Sequence, residues 1–249
     1  VSDLAGDDLA KRLTEAERER KWPNVRPKDA ATLIILDRNA KVPKLLMGKR
    51  HAGHKFMPGK FVFPGGRIER ADYVMNIGGA LPDLVERRLE AHVTRGGAAK
   101  ARALALAAVR ETFEETGLMI GTREFGAPER TPAGVWAQFA AEGVFPSLEG
   151  FHFIARAITP PRRPKRFDAR FFCVDAQVIV HRVEGKVGPQ TELTELVWLP
   201  LAEARGLDLP SITRVVLDEL EARLNGGMSH FSPVPFYFER NRKWQRVTL

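Results

Sequence analysis

A mixed α/β or α+β domain is the fold class that this chain's periodicities predict, on three observations. Short apolar runs of strand character recur at residues 30–36, 44–49, 151–158, 170–174 and 193–199. Helical spacing of apolar residues runs through 98–116 and 210–224. The two kinds of segment alternate irregularly, so regular βαβ winding is not indicated.

Residues 3–21 are charge-rich, and Leu4, Leu9, Ala10 and Leu13 form only a weak apolar stripe. They read as a frayed helix or arm ending before Trp22-Pro23. Residues 30–36 and 44–49 read as strands about a turn at 37–41, a hairpin leading into a sheet. Residues 49–66 form a basic, glycine-punctuated loop running into a short strand. It is not a P-loop, because five residues separate Gly53 from Gly59 and Phe61 follows Lys60. His51 and His54 have no further nitrogen or sulfur ligand nearby and read as polar surface.

Leu81, Leu84, Val85 and Leu89 have helical spacing over 81–93, broken by Gly96-Gly97. Val135, Trp136 and Phe139 indicate another helix. The strands 151–158 and 170–174 are joined by a stiff, basic, proline-rich connection at 159–168. It reads either as a solvated loop or as a positive wall for a phosphate-bearing ligand. A short strand at 178–183 and another at 193–199 follow, then a turn at Pro200 and a short helix to Arg205. Glu192 and Glu195 at the second strand are either exposed surface or an added ligand or base. In the helix 210–224, Ile212, Val215, Val216, Leu220 and Leu224 face inward, and Gly226-Gly227 stops it. A hairpin over 235–249 turns at Asn241-Arg242. With no repeat, low-complexity tract or linker, one domain over 1–249 is expected, with an N-terminal arm at 1–29.

No apolar run approaches the roughly 18 residues of a membrane helix, and the N-terminal residues lack a secretory apolar core. The single cysteine, Cys173, excludes an internal disulfide and fits a reducing compartment. The expectation is a cytoplasmic protein. A net charge of +8 and a pI near 9.9 favour anionic partners. Phosphorylated metabolites and nucleic acid both qualify, although no stacking platform or reading module accompanies the charge.

The chemistry concentrates at Arg110-Glu111-Thr112-Phe113-Glu114-Glu115-Thr116-Gly117-Leu118, which closes the helical run 98–116. On a helix, Glu111 lies beside Glu114 and Glu115, so three carboxylates share one edge. Leu106, Val109, Phe113 and Thr116 fall on another face, and Gly117 sits where a helix is capped. Like charges at that spacing repel, and carboxylates at a helix C-terminus oppose its dipole, by a few tenths of a kcal/mol each (roughly). Arg110 can pair with Glu114 and offsets part of this. The run is either a solvated acidic helix end or a site for a hard cation such as Mg²⁺.

Upstream stands Phe63-Pro64-Gly65-Gly66-Arg67-Ile68-Glu69-Arg70-Ala71-Asp72. Together the two segments resemble the signature of the Nudix hydrolases: a glycine, a glutamate, then Arg-Glu-aliphatic-x-Glu-Glu-x-Gly-aliphatic. Gly66 and 110–118 match its ends. Asp72 stands in place of the first glutamate, and Thr112 in place of an aliphatic residue. Between Asp72 and Arg110 lie 37 residues where the signature has seven, which places an insertion at 73–102.

The resemblance implies a Nudix fold, a mixed β-sheet sandwiched between α-helices, and a metal-dependent diphosphatase. It implies Mg²⁺ or Mn²⁺ held by Glu111, Glu114, Glu115 and the Gly66 carbonyl, with Arg110 orienting the acidic cluster and the identity of the base left open. Leu45-Leu46-Met47-Gly48-Lys49, then Lys55, Gly59 and Phe63-Pro64-Gly65-Gly66, is similar in spacing to the motif of the coenzyme A diphosphatase branch. There arginines stand where this chain has Lys49 and Lys55, and lysine lacks the bidentate fork. The insertion and the run around Arg166 are also similar to a peroxisomal-type subgroup and its bacterial relatives. Lys49, Lys55 and Arg166 are therefore expected to bind a small-molecule diphosphate, coenzyme A or an acyl-coenzyme A. Other diphosphates (ADP-ribose, a nucleotide sugar, a capped RNA end) and a non-catalytic ligand-sensing regulator are the alternative readings. Membrane and nucleic-acid partners are not expected, and a homodimer is left open.

Overall fold

The structure is a computed structural model and describes residues 2–15, 20–54, 57–93 and 96–249. The strands are β1 (Lys28–Asp37), β2 (Lys44–Arg50), β3 (Phe61–Val62), β4 (Gly65–Arg67), β5 (Leu118–Ile120), β6 (His152–Ile158), β7 (Phe167–Asp175), β8 (Ile179–Arg182), β9 (Leu193–Pro200), β10 (Pro235–Arg240) and β11 (Lys243–Thr248). The helices are α1 (Ser2–Glu15), α2 (Arg70–Val74), α3 (Asp83–Glu90), α4 (Ala98–Thr116), α5 (Val135–Ala141), α6 (Leu201–Ala204) and α7 (Ser211–Asn225).

β1 is central because both of its faces are apolar. Ala31, Leu33 and Ile35 join one core, and Ile34 and Leu36 the other. β7 does the same with Phe172 and Val174 on one side and Phe171 and Cys173 on the other. The two strands pair in parallel from Lys28↔Phe167 to Leu36↔Asp175. Around them the sheet runs β11-β10-β6-β7-β1-β2-β3, with β4 also on β1 and β9 on β2. β6 and β10 form a second parallel pair, and the remaining pairs are antiparallel. Residues of α3, α4 and α5 fill one core, and residues of α1 and α7 the other. The molecule is thus a mixed sheet between two helical layers, the architecture expected.

Three local expectations change. The N-terminal helix is docked: Leu9, Ala10 and Leu13 are buried, Trp244 donates its backbone N–H to Thr14 Oγ1 at 3.0 Å, and Arg12 pairs with Asp218. The last two residues of the arm expected at 1–29 belong to β1. β5 and β8 form a separate two-stranded sheet, and β5 had no strand pattern of its own at three residues. In the inserted segment the helix is shorter than expected, starting at Asp83 after Pro82 and ending at Glu90. Val85 and Leu89 are buried in the core shared with α4, while Leu84 is half-buried. The terminal hairpin turns at Asn241-Arg242, both at positive φ as a tight hairpin turn requires. Among the described residues no helix is long and apolar enough to cross a membrane.

Candidate active site

α4 can lie close on the sheet because Ala101, Ala103, Ala105, Ala107 and Ala108 are buried and small. It ends at Gly117, whose φ of 79° is left-handed and whose Cβ, if present, would meet the Val183 carbonyl. That close approach sets the register of the last turn, where Glu111, Glu114 and Glu115 stand.

β4 pairs antiparallel to β1 through Ala31↔Gly66 and Thr32↔Gly65, bringing the Gly65-Gly66 backbone under that turn. A Cβ built on Gly66 would lie within 2.5 Å of the Glu111 carboxylate atoms. The inserted segment therefore loops out, and the two halves of the signature meet. Gly65 donates its N–H to Glu115 Oε2 at 3.2 Å.

Arg110 holds this arrangement together. Its Nε and one terminal nitrogen reach Asp72 Oδ1 at 2.9 Å and Oδ2 at 3.1 Å, and the same terminal nitrogen reaches the Arg67 carbonyl at 2.8 Å. The other reaches Glu111 Oε1 at 3.1 Å and Glu114 Oε2 at 2.8 Å. Five contacts match the five N–H donors of a guanidinium, so none remains for a ligand. Asp72 is fully buried and also accepts the Glu69 N–H at 2.8 Å, closing a capping box on α2. The residue in the place of the signature's first glutamate is thus the anchor of Arg110. Burial works against the Arg110 charge, but the Asp72 hydrogen bonds and charge, with Glu111 and Glu114, raise its pKa.

Burial is also the main influence on the carboxylates. It pushes Glu111 up to about 7, with the Glu114 and Glu192 charges adding to the rise and Arg110 opposing it. Glu115 is raised well above the ordinary range, first by burial and then by Glu192 and Glu111, against Arg50 and the Gly65 N–H. Glu114 differs: its side chain is 42% exposed and is turned onto Arg110. Glu111 and Glu115 face Gly65-Gly66, and one Arg110 nitrogen takes both Glu111 and Glu114. Among the described residues, no three His, Cys, Asp or Glu side chains stand together closely enough to hold a metal.

The donor chemistry nevertheless fits a hard divalent cation. The half-buried Glu111 and buried Glu115 carboxylates, both with raised pKa values, and a glycine backbone form an oxygen-only set, and such a cation is commonly bound by one or two carboxylates and waters.

Two further residues belong to this neighbourhood. β2 pairs with β9, and a register shift falls between Lys49 and Arg50. Arg50, whose charge acts on Glu115, makes a 2.5 Å ion pair with Glu192. The sequence singled out Glu192 but not Arg50, and only the β2–β9 pairing brings them together. Glu195 lies across the ladder from Lys49 and is exposed.

The expected substrate residues are placed as follows. Lys49 is exposed, with its Nζ 5.7 Å from the Phe61 ring centroid. Lys55 lies outside the described residues. Arg166 donates to the Thr159 carbonyl at 3.0 Å, Asn24 Oδ1 at 2.8 Å and the Val25 carbonyl at 2.7 Å. It ties the segment before β1 to the start of β7.

No protein-family model and no curated protein sequence matches the chain. Solved structures do. A Nudix hydrolase from Alicyclobacillus acidocaldarius superposes with a TM-score of 0.61 at 27% identity, over 84% of this chain and 97% of that one. The Nudix domain of Shewanella oneidensis NrtR, solved with ADP-ribose, gives 0.44 at 12% over 86% and 97%. A MutT protein from Methanosarcina mazei Go1 gives 0.43 at 14% over 83% and 99%. The fold assignment rests on the first. That first structure is a Nudix hydrolase, which supports placing the chain in that family.

Proposed function

We propose that this Nudix-fold enzyme is a divalent-metal-dependent diphosphatase whose centre is Glu111 and Glu115 against Gly65-Gly66. The observation that carries the reading is the lock between the two signature halves: Arg110 joins Asp72, Glu111 and Glu114 across the inserted segment. Glu111, Glu115 and the Gly66 carbonyl are the groups that would hold Mg²⁺ or Mn²⁺, with Glu114 supplying further negative charge beside them. The bound cation would neutralise a diphosphate and lower the pKa of a water for attack on phosphorus. Arg110 acts as a positioning residue, because its donors are already used. Burial of Glu111 and Glu115 keeps water from competing for their oxygens.

Gly66→Ala tests the geometry. The new methyl group would displace the end of a flexible side chain, Glu111, rather than backbone. The variant is expected to melt within a few degrees of the parent while losing on the order of 10²-fold in turnover. Unchanged Mg²⁺-dependent turnover would remove Gly66 from the site.

For the substrate we propose coenzyme A or an acyl-coenzyme A, cleaved by water at the diphosphate to give 3′,5′-ADP and a phosphopantetheine. This rests on the spacing of Leu45-Leu46-Met47-Gly48-Lys49, Lys55, Gly59 and Phe63-Pro64-Gly65-Gly66. Comparative kinetics on coenzyme A, dephospho-coenzyme A, ADP-ribose and a nucleotide sugar decide it. Lys49→Ala is expected to lower kcat/KM for coenzyme A about tenfold, or about 1.4 kcal/mol, and to spare the other three. Preference for ADP-ribose, or equal losses on all four, would reject coenzyme A and leave the diphosphatase reading standing.

A further inference from the structure

A cavity of about 770 Å³ opens beside β4, on the side of the inserted segment. Its walls include Arg67, the residue after Gly66, together with Tyr73, His92, Val93 and Lys100 from the insertion. Glu111 and Glu115 do not line it. The volume is that of a small-molecule site.

Its charge is unbalanced in a specific way. Six cationic side chains line it against three carboxylates, Asp29, Glu69 and Asp168. Two of those carboxylates are already committed to other cations. Asp29 takes Lys100 at 2.7 Å and the buried Arg170 at 2.7 Å. Asp168 takes Arg156 through both oxygens at 2.8 Å and 2.7 Å, and Arg170 at 3.2 Å. Even so, Arg170 is fully buried with two guanidinium nitrogens, Nε and one Nη, left without a partner. The remaining cations, Arg26, Lys28, Arg67 and Arg70, are exposed, and no side-chain hydrogen bond or ion pair to a described residue engages them.

The walls are also fixed. Arg156 donates to the Ala91 carbonyl at 3.0 Å and the His92 carbonyl at 3.3 Å, fastening the end of the insertion to β6. Arg102 donates to the Tyr73 carbonyl at 3.2 Å. Preformed walls with excess unpaired guanidinium and ammonium groups are the chemistry that recognises a phosphate.

We propose that this cavity is a second anion site, separate from the carboxylate centre, that binds a phosphate group. The group is either the phosphomonoester end of the substrate or a free phosphate. This assignment gives the insertion a role: it supplies one wall of the site.

The test is calorimetric titration of the full chain with inorganic phosphate in EDTA at about 0.15 M ionic strength, where the Debye length is about 8 Å. Without a divalent cation the carboxylate centre repels phosphate, so binding reports on the cavity. Saturable binding is expected, at least tenfold weaker in a variant combining Arg26→Gln, Lys28→Gln and Arg70→Gln. A charge-matched variant combining Lys41→Gln, Arg240→Gln and Lys243→Gln should stay within about twofold of the parent, since screened distant charges contribute little. Equal loss in both variants, unchanged binding in the first, or no saturable binding in the parent would overturn the site. The source of the phosphate is read from KM. A rise only for substrates carrying a phosphomonoester assigns it to the substrate, and unchanged KM values with lost phosphate binding assign it to free phosphate. Because binding is read without turnover, a chain that hydrolyses no diphosphate would reject the proposed function and leave this test intact.

Discussion

Replacing Glu115 with Gln is expected to lower Mg²⁺-dependent turnover by about 10³-fold while making the metal-free protein more stable. The two effects have one cause. Glu115 is 5% exposed, and burial together with the Glu192 and Glu111 charges raises its pKa well above the ordinary value. Its ionised form is therefore costly without a cation, and that cost disappears when the side chain is neutral. Gln retains an oxygen for the Gly65 N–H, so the contact at 3.2 Å can persist. A gain of about 1 kcal/mol would raise Tm by about 2–4 °C for a chain of this size. A purely structural carboxylate would lose stability and activity together. Full turnover in Glu115→Gln, or a lower Tm in EDTA, would remove it from the centre.

The same imbalance fixes a pH dependence. The folded pKa of Glu111, about 7, lies above its ordinary value of 4.5. Between those values the folded state holds more protons than the unfolded state, so stability falls as pH rises from about 4.5 through about 7. It is flat above that range as far as this group is concerned. In EDTA the protein is expected to melt lower at pH 8 than at pH 5.5, by an amount on the order of 1–3 kcal/mol. Saturating Mg²⁺ should remove most of that difference, since a cation stabilises the ionised form by binding the folded state. Melting curves at both pH values, with and without Mg²⁺, check this. A higher Tm at pH 8 in EDTA would contradict the charge assignment.

How much of this was legible in the sequence depends on the range of the interactions. α4, Gly117 and the edge bearing the glutamates are local, so helical spacing showed them. The meeting of Gly66 with Glu111 could be expected across 37 intervening residues between Asp72 and Arg110 because both ends carried recognisable chemistry. The β7–β1 and β6–β10 parallel pairs are long-range choices that no local pattern states. The same holds for Arg50 and Glu192, brought together by the β2–β9 ladder. Lys49, still in regular register opposite Glu195, stands on the exposed side beside Phe61. The contacts of Arg166 were not legible for a different reason: two of its three acceptors are backbone carbonyls, which every sequence offers and none advertises. The Arg110–Glu114 pair, one helical turn apart, was legible from spacing alone.

Arg110→Met is expected to be the most destabilising single change at the site. It leaves Asp72, which has no exposed surface, as a buried carboxylate without its cation, at a cost of about 3–5 kcal/mol. For this chain that corresponds to a Tm lower by about 6–20 °C. Asp72→Asn should cost less, since the amide keeps its oxygen for the Glu69 N–H or for one Arg110 nitrogen. The decisive measurement is the double-mutant cycle with Asp72→Leu in urea denaturation. Removing both charges avoids the uncompensated carboxylate, so the double variant should be more stable than the sum of the single losses by about 2–3 kcal/mol. The segment between α2 and α4 should also become more open to proteolysis in the single variants, because Arg110 connects Asp72 in α2 and the Arg67 carbonyl to α4. Additive losses in the cycle would mean that Arg110 and Asp72 act separately, and the lock between the two signature halves would have to be sought elsewhere.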